Sequence, residues 1–281
     1  MFGLCVFAGC GSSNEPSSRE GREGTDPARL VVTGSSTIAP LISDVARRYE
    51  QEHPGVRIDV QTGGSSRGLT DARRGLADVG MVSRSPREGE DDVAWIPIAL
   101  DGLAIIVHAD SPVNVLSEEQ VVAIYRGEIE TWRDVGGEDA PITVVTKADG
   151  RSTLEVFLDH FGLTAQEIRA DVVIGDNQQA IKTVVGNPDA IAYVSIGTAE
   201  YEAMQGAPLR LLRLGDFEPS TDAVRAGSYP VARTLHVVAK GESAPVVSEF
   251  LDFLLSPAVH DLVESHFFVP LDGPTPDGPA G

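Results

Sequence analysis

Three times along this chain a β-rich run ends in Gly with Ser or Thr and passes at once into an amphipathic helical window. The junctions are Thr33-Gly34-Ser35-Ser36-Thr37 before a helix opening at Ile38, Thr62-Gly63-Gly64-Ser65-Ser66-Arg67-Gly68 before one opening at Leu69, and Asp149-Gly150-Arg151-Ser152-Thr153 before one opening at Leu154. A helix amino terminus leaves backbone N–H groups unpaired and carries partial positive charge, so an oxyanion placed there collects donors without a salt bridge. Hydroxyls add donors, and Gly lets the backbone approach closely. The same residues also serve as ordinary helix caps. A cap needs one hydroxyl, however, and these junctions offer two or three. A fourth element, Ser83-Arg84-Ser85, puts a cation directly after the apolar run Val79-Gly80-Met81-Val82, at a strand carboxyl end, where open α/β sheets hold their ligands.

The remaining chain keeps the same alternation. Periodicity predicts strands over 30–32, 56–61 and 79–82, then two strands within 94–107 broken near Asp101-Gly102, and further strands over 142–146, 172–174, 191–194 and 231–239. Helices are expected over 38–52, 69–76, 153–161, 178–185, 246–255 and 258–264, with another opening at Ser117, whose Gln120 three residues on completes a capping box. This order implies an α/β fold with a largely parallel sheet. The Pro- and Gly-rich stretch from 272 to 281 reads as a loose tail.

Asp and Glu number 42 against 22 Lys and Arg, a formal charge of −20. Duplex binders neutralise phosphates with clustered cations, and here the basic clusters are pairs such as Arg47-Arg48 and Arg73-Arg74. Nucleic acid and anionic membrane surfaces are therefore disfavoured as partners. A small buried anion is not, because repulsion from distant surface charge is screened beyond roughly 8 Å at physiological salt.

Both cysteines, Cys5 and Cys10, lie in the first ten residues, which leaves the rest of the chain without a disulfide framework or a Cys-based metal site. The apolar opening of nine residues is far short of the roughly 20 a spanning helix needs. Phe7-Ala8-Gly9-Cys10, followed by a polar Gly-, Ser-, Glu- and Pro-rich stretch, resembles the end of a bacterial lipoprotein signal, with Cys10 as the lipidated residue and residues 11–29 as a tether. No leading basic region precedes it.

Several catalytic and metal chemistries fail on spacing. The Gly150-Arg151-Ser152-Thr153 run would need a Gly at position 145 to read as a nucleotide phosphate loop, and Val145 stands there. The chain has no His-Glu-x-x-His pair. Glu88, Asp91 and Asp92 read as a solvated face. A binding protein without cofactor or metal is thus expected in preference to an enzyme.

The ordered series Gly34-Ser35-Ser36-Thr37-Ile38-Ala39-Pro40-Leu41, Thr62 to Gly68, Ala77-Asp78-Val79-Gly80-Met81-Val82-Ser83-Arg84, Ile124 to Ile129 with Trp132, Lys147 to Thr153, Ala192 to Gly197 and Ser228-Tyr229-Pro230 resembles the PstS-like phosphate-binding proteins of bacterial ABC importers. The resemblance covers essentially the whole chain after residue 29. It implies a two-lobed periplasmic-binding-protein fold of type II, each lobe a mixed sheet flanked by helices, joined by two hinge strands. Residues 30–107 with 225–271 would form one lobe and 108–224 the other. It implies capture of inorganic phosphate between the lobes and delivery to ABC permease subunits, outside the cytoplasm, by a monomer tethered through Cys10. Sulfate, molybdate or tungstate receptors would use the same fold, and a phosphate-ester enzyme is the remaining alternative.

By position, the resemblance places Ser36, Thr37, the Ile38 N–H, Ser65, Ser66, Ser83 and Arg84 on one side of the ligand, and Lys147, Arg151, Ser152 and Thr153 on the other. Lys147 stands where many relatives have Arg, so a point charge replaces a bidentate fork, and Arg151 stands where many have Ser. Ser83 occupies a position where some relatives carry an Asp that accepts the proton phosphate retains.

Overall fold

The computed structural model describes residue 1 and residues 27–241 and 244–271. The expectations for Cys5, Cys10, the tether before residue 27 and the tail after residue 271 lie outside the described residues.

Among these, the elements run β1 (Ala28–Gly34), α1 (Ala39–Glu52), β2 (Val56–Thr62), α2 (Ser65–Arg74), β3 (Val79–Val82) and β4 (Ala94–His108). Next come β5 (Val115–Leu116), α3 (Glu118–Tyr125), β6 (Thr143–Lys147), α4 (Ser152–Phe161), β7 (Val172–Ile174), α5 (Asn177–Gly186), β8 (Ala190–Ser195) and α6 (Ile196–Met204). The chain continues through β9 (Leu209–Leu211), β10 (Arg213–Leu214), α7 (Thr221–Arg225), β11 (Ala232–Ala239), α8 (Pro245–Leu254), α9 (His260–Ser265) and β12 (Val269–Pro270). The Ser117 capping box forms as its spacing predicts, with the hydroxyl accepting from the Gln120 N–H and the Gln120 side chain accepting from the Ser117 N–H.

The main sheet has the order β2-β1-β3-β11-β4-β8-β6-β7. At one end β1 runs parallel to β2 and β3, and at the other β6 runs parallel to β7 and β8. The sheet is mixed because β11 returns antiparallel to both β3 and β4, and β4 lies antiparallel to β8.

The expected break near Asp101-Gly102 does not occur. β4 is one strand of 15 residues that pairs with β11 as far as Gly102 and with β8 from Leu103 onward. Gly102 is there for close packing: a Cβ on it would come within 2.6 Å of the Ile196 side chain. The irregularity in the ladder lies instead between Leu235 and His236, opposite Pro97 and Ala99, where Pro97 has no N–H to donate.

The apolar cores divide on either side of this strand. Leu30, Val32, Ile42, Met81, Ala99, Leu235 and Phe250 belong to one cluster, while Leu103, Ile105, Val121, Tyr125, Phe157 and Tyr193 belong to another. Residues 103–107, grouped with the first lobe on sequence, therefore pack with the second half, and so do Tyr229 and Val231. An unbroken strand carries the chain from one core to the other, so the division falls within the strand.

Candidate functional site

Close backbone packing sets the first wall. Helix α2 starts four residues earlier than its periodicity suggests, at Ser65. A Cβ on Gly68 would lie 2.7 Å from the Thr33 carbonyl and 2.9 Å from that of Met81, and one on Gly80 would lie 2.4 Å from the Gly68 carbonyl. Without side chains at these positions, the first turn of α2 sits directly on the ends of β1 and β3. The Ser65 hydroxyl accepts from the Ser83 N–H at 3.2 Å, and the Ser35 hydroxyl donates to that of Ser83 at 3.0 Å. Ser35 Oγ also accepts from the Thr37 N–H.

The opposite wall is the end of β6 and the first turn of α4. Together the walls enclose a cleft of about 220 Å³, counting space open to solvent, lined by Ser35, Ser36, Thr37, Gly64, Ser65 and Ser83 on one side. Lys147, Arg151, Ser152, Thr153, Gly175, Asp176 and Asn177 line the other. Of the residues singled out on sequence, Ser36, Thr37, Ser65, Ser83, Lys147, Arg151, Ser152 and Thr153 are thus brought together.

Ile38, Ser66 and Arg84 stand apart from the lining. The Ile38 side chain is fully buried in the first core, which leaves only its N–H for a ligand. Ser66 is exposed, and its N–H donates to the Gly150 carbonyl at 3.3 Å. Arg84 is occupied elsewhere: it donates to both oxygens of Glu90, at 2.7 and 2.9 Å, its Nε lies 2.6 Å from Glu155 of α4, and its guanidinium stacks over Trp95. Two carboxylates that no local sequence pattern pairs with Arg84 neutralise its guanidinium, so its expected place beside an anion is corrected to one between the two walls.

The two roles open to the hydroxyl clusters, cap or anion cradle, are separated by their hydrogen bonds. Helices α3, α5, α6 and α7 are capped by the side chains of Ser117, Asp176, Ser195 and Ser220. Four helices open at the cleft: α5 carries the Asp176 cap, whereas α1, α2 and α4, like α8 and α9 away from the cleft, have no side-chain cap. The N–H groups of Ile38, Ser65, Ser152 and Thr153 find no acceptor among the described residues. Donors that a folded chain ordinarily satisfies are held open where the helix dipoles converge.

The charges agree with this arrangement. Lys147 Nζ is buried without a hydrogen-bond partner, and neither Lys147 nor Arg151 is within ion-pair distance of a carboxylate among the described residues. Burial, with the nearby charges of Arg233 and Arg151, pulls the Lys147 ammonium down to about 7, against a smaller upward pull from Asp176. Each is a cost of keeping positive charge in this cleft, and an anion would relieve it.

Hydroxyl orientation was not legible in the sequence. Thr37 Oγ1 accepts from the Asn177 side-chain amide at 3.2 Å, and Thr153 Oγ1 accepts from Arg233 at 3.1 Å. Each oxygen thus accepts one hydrogen bond, and each hydroxyl keeps its proton free to donate. Asn177, Asp176 and Arg233 were missed on sequence. A signal for the first two existed, because Gly175-Asp176-Asn177 is a fourth strand-to-helix junction, between β7 and α5, though with no paired hydroxyls.

Comparison with known proteins places these features in context. A model of the PBP superfamily domain matches residues 21–258. The phosphate-binding protein PstS of Bacillus subtilis is 28% identical over 278 residues, covering 95% of this chain and 90% of that protein. A putative phosphate ABC transporter substrate-binding protein from Clostridium perfringens, solved with bound phosphate, superposes with a TM-score of 0.81 at 29% identity, over 87% of this chain and all of that one. An ABC-type phosphate transport receptor from Vibrio cholerae superposes with a TM-score of 0.70 at 28% identity, over 85% of this chain and 99% of that one.

Proposed function

The chain belongs to the PBP superfamily, and from that premise we propose that it is an extracytoplasmic receptor that takes inorganic phosphate into the cleft and delivers it to the permease of an ABC importer. The observation that carries this reading is the convergence of three uncapped helix amino termini with two unpaired cations on one cleft. Such a site matches a small, multiply charged oxyanion, which accepts hydrogen bonds on all sides. The phosphate-binding relatives support the choice of anion and the transporter context.

In this reading the N–H groups of Ile38, Ser65, Ser152 and Thr153 and the hydroxyls of Thr37, Ser65 and Thr153 surround the anion, while Lys147 and Arg151 neutralise it. Binding rather than turnover is favoured by the partners of the lining hydroxyls, none of which is hydrogen-bonded to a carboxylate, imidazole or amine among the described residues. No helix among the described residues is long and apolar enough to cross a membrane. Attachment through Cys10 would supply the link to one, and action as a monomer completes the proposal.

Calorimetric titration of the purified protein with phosphate, sulfate and molybdate at fixed pH tests the assignment. Saturable 1:1 phosphate binding, stronger than for the other two anions, is expected. Preference for sulfate or molybdate, or no binding of any of the three, overturns it.

A further inference from the structure

Behind the cleft, one buried guanidinium touches both walls without lining either. Arg233 of β11 has a side-chain exposure of 2%, and that of its partner Asp101, on β4, is zero. Arg233 Nε and Nη2 donate to Asp101 Oδ2 at 3.0 and 2.7 Å. The remaining nitrogen turns toward the cleft residues: Nη1 donates to the Ser83 carbonyl at 3.2 Å and to Thr153 Oγ1 at 3.1 Å. Ser83 closes the first wall and Thr153 opens α4 on the second, so the fork reaches one residue from each.

Asp101 is itself tied to the second half of the molecule. Its Oδ1 accepts from the Ser195 hydroxyl at 3.0 Å and from the Gly197 N–H at 3.3 Å, where β8 turns into α6. The ion pair thus sits at the point where β4 passes from one core to the other, with contacts on both sides. A pair serving only to join β4 to β11 would need the Arg233 and Asp101 side chains alone; the Nη1 contacts go beyond that. They also fix chemistry at the site, because Thr153 Oγ1, accepting from a cation, has its proton left to donate.

We infer that Arg233 is a positioning residue for anion capture: it sets the Thr153 hydroxyl as a donor and holds the first turn of α4 against Ser83, so that approach of the two walls and binding depend on one guanidinium. The inference rests on the phosphate reading of the cleft. Lysine in its place keeps the charge for Asp101, but one ammonium lacks the planar fork that serves Asp101, Ser83 and Thr153 together.

The test is a double-mutant cycle read by calorimetric titration with inorganic phosphate, using the wild type, Arg233→Lys, Thr153→Val and the double variant, with thermal unfolding of each ligand-free protein measured alongside. If Arg233 acts through Thr153, Arg233→Lys weakens binding by about tenfold or more in the wild-type background and by less than about threefold once Thr153 is Val. A purely structural pair would lower the ligand-free unfolding temperature and leave the two losses in affinity additive. Should Arg233→Lys not fold, the neutral pair Asp101→Asn with Arg233→Gln, which strands no buried charge, replaces it in the same cycle. Additive losses, or wild-type affinity in the Arg233 variant, overturn the inference alone. A wild type that binds no phosphate overturns the functional reading and the inference with it.

Discussion

The side-chain amide of Asn177 donates to the hydroxyl of Thr37 at 3.2 Å, joining residues 140 positions apart across the cleft. The same Nδ2 donates to Thr198 Oγ1, also at 3.2 Å, so the amide is anchored in its own half before it reaches the other. Asn177 is 4% exposed, and its amide takes one acceptor position of Thr37 Oγ1 and leaves the hydroxyl proton free to donate.

Asn177→Ala should therefore weaken phosphate binding by about fivefold, the net worth of one hydrogen bond at roughly 1 kcal/mol. Asn177→Asp should weaken it further, because it places a second negative charge beside the ligand. Calorimetry decides, and an Ala variant with wild-type affinity would remove Asn177 from the site.

Glu155 of α4 lies 2.6 Å from Arg84 and 3.4 Å from Arg87, and Arg87 also reaches Asp159 at 3.1 Å. These pairs bridge the two walls, with the side chains of Arg84 and Glu155 only 8% and 16% exposed. Glu155→Gln should cost about 1–2 kcal/mol of phosphate affinity while leaving Arg84 paired with Glu90. Small-angle scattering should show a larger radius for the variant at sub-saturating phosphate. Equal affinity and equal radius would show that these pairs do not hold the cleft closed.

Lys147 gives a pH dependence of definite sign. Its folded pKa is about 7, whereas an unfolded lysine titrates at roughly 10.4. Between those values the unfolded chain binds more protons, so the cost of the buried charge is fully present below pH 7 and is relieved as pH rises toward 10. Ligand-free wild type should gain stability relative to Lys147→Met between about pH 7 and about pH 9, by at most about 1.4 kcal/mol per pH unit. Urea unfolding of both proteins at the two pH values measures the difference, and a constant difference would place the ammonium in water.

Asp176 is the one carboxylate among the described residues lining the cleft, and its Oδ1 caps α5 by accepting from the Gln179 N–H at 2.8 Å. Asn preserves that cap and removes the charge. A carboxylate repels a fully ionised anion but accepts a hydrogen bond from the hydroxyl of phosphate, which keeps one proton at neutral pH. Asp176→Asn should raise sulfate affinity relative to phosphate by about tenfold, or about 1.4 kcal/mol. Competition titration reads the ratio, and an unchanged ratio would assign selectivity to other groups.

Features carried by neighbouring residues were legible in the chain itself. Apolar spacing located the helices at Ala39–Glu52 and Ser152–Phe161 and the strand at Val172–Ile174, and the Ser117-to-Gln120 spacing marked a true cap. The Gly and hydroxyl junctions marked where an anion could be held. Resemblance across the ordered motifs indicated the fold. Misplaced boundaries have local causes as well. Periodicity places the start of α2 four residues late because Gly68, a poor helix former, is kept there for its contact with β1 and β3. The helix Ile196–Met204 was passed over where a strand ends in Ser195-Ile196-Gly197.

What the tertiary structure alone decided is the partner of each polar group. Arg84 and Arg151 are both cations placed after strand ends, yet one meets Glu90 and Glu155 while the other faces the cleft unpaired. Thr37 and Thr153 accept from Asn177 and Arg233, 140 and 80 positions away, and keep their hydroxyl protons free to donate. Helix and strand propensity act over a few residues and are written in local order. Hydrogen bonds and ion pairs are satisfied by whatever folding brings within about 3 Å, so the chemistry of this cleft was settled only when its two walls met.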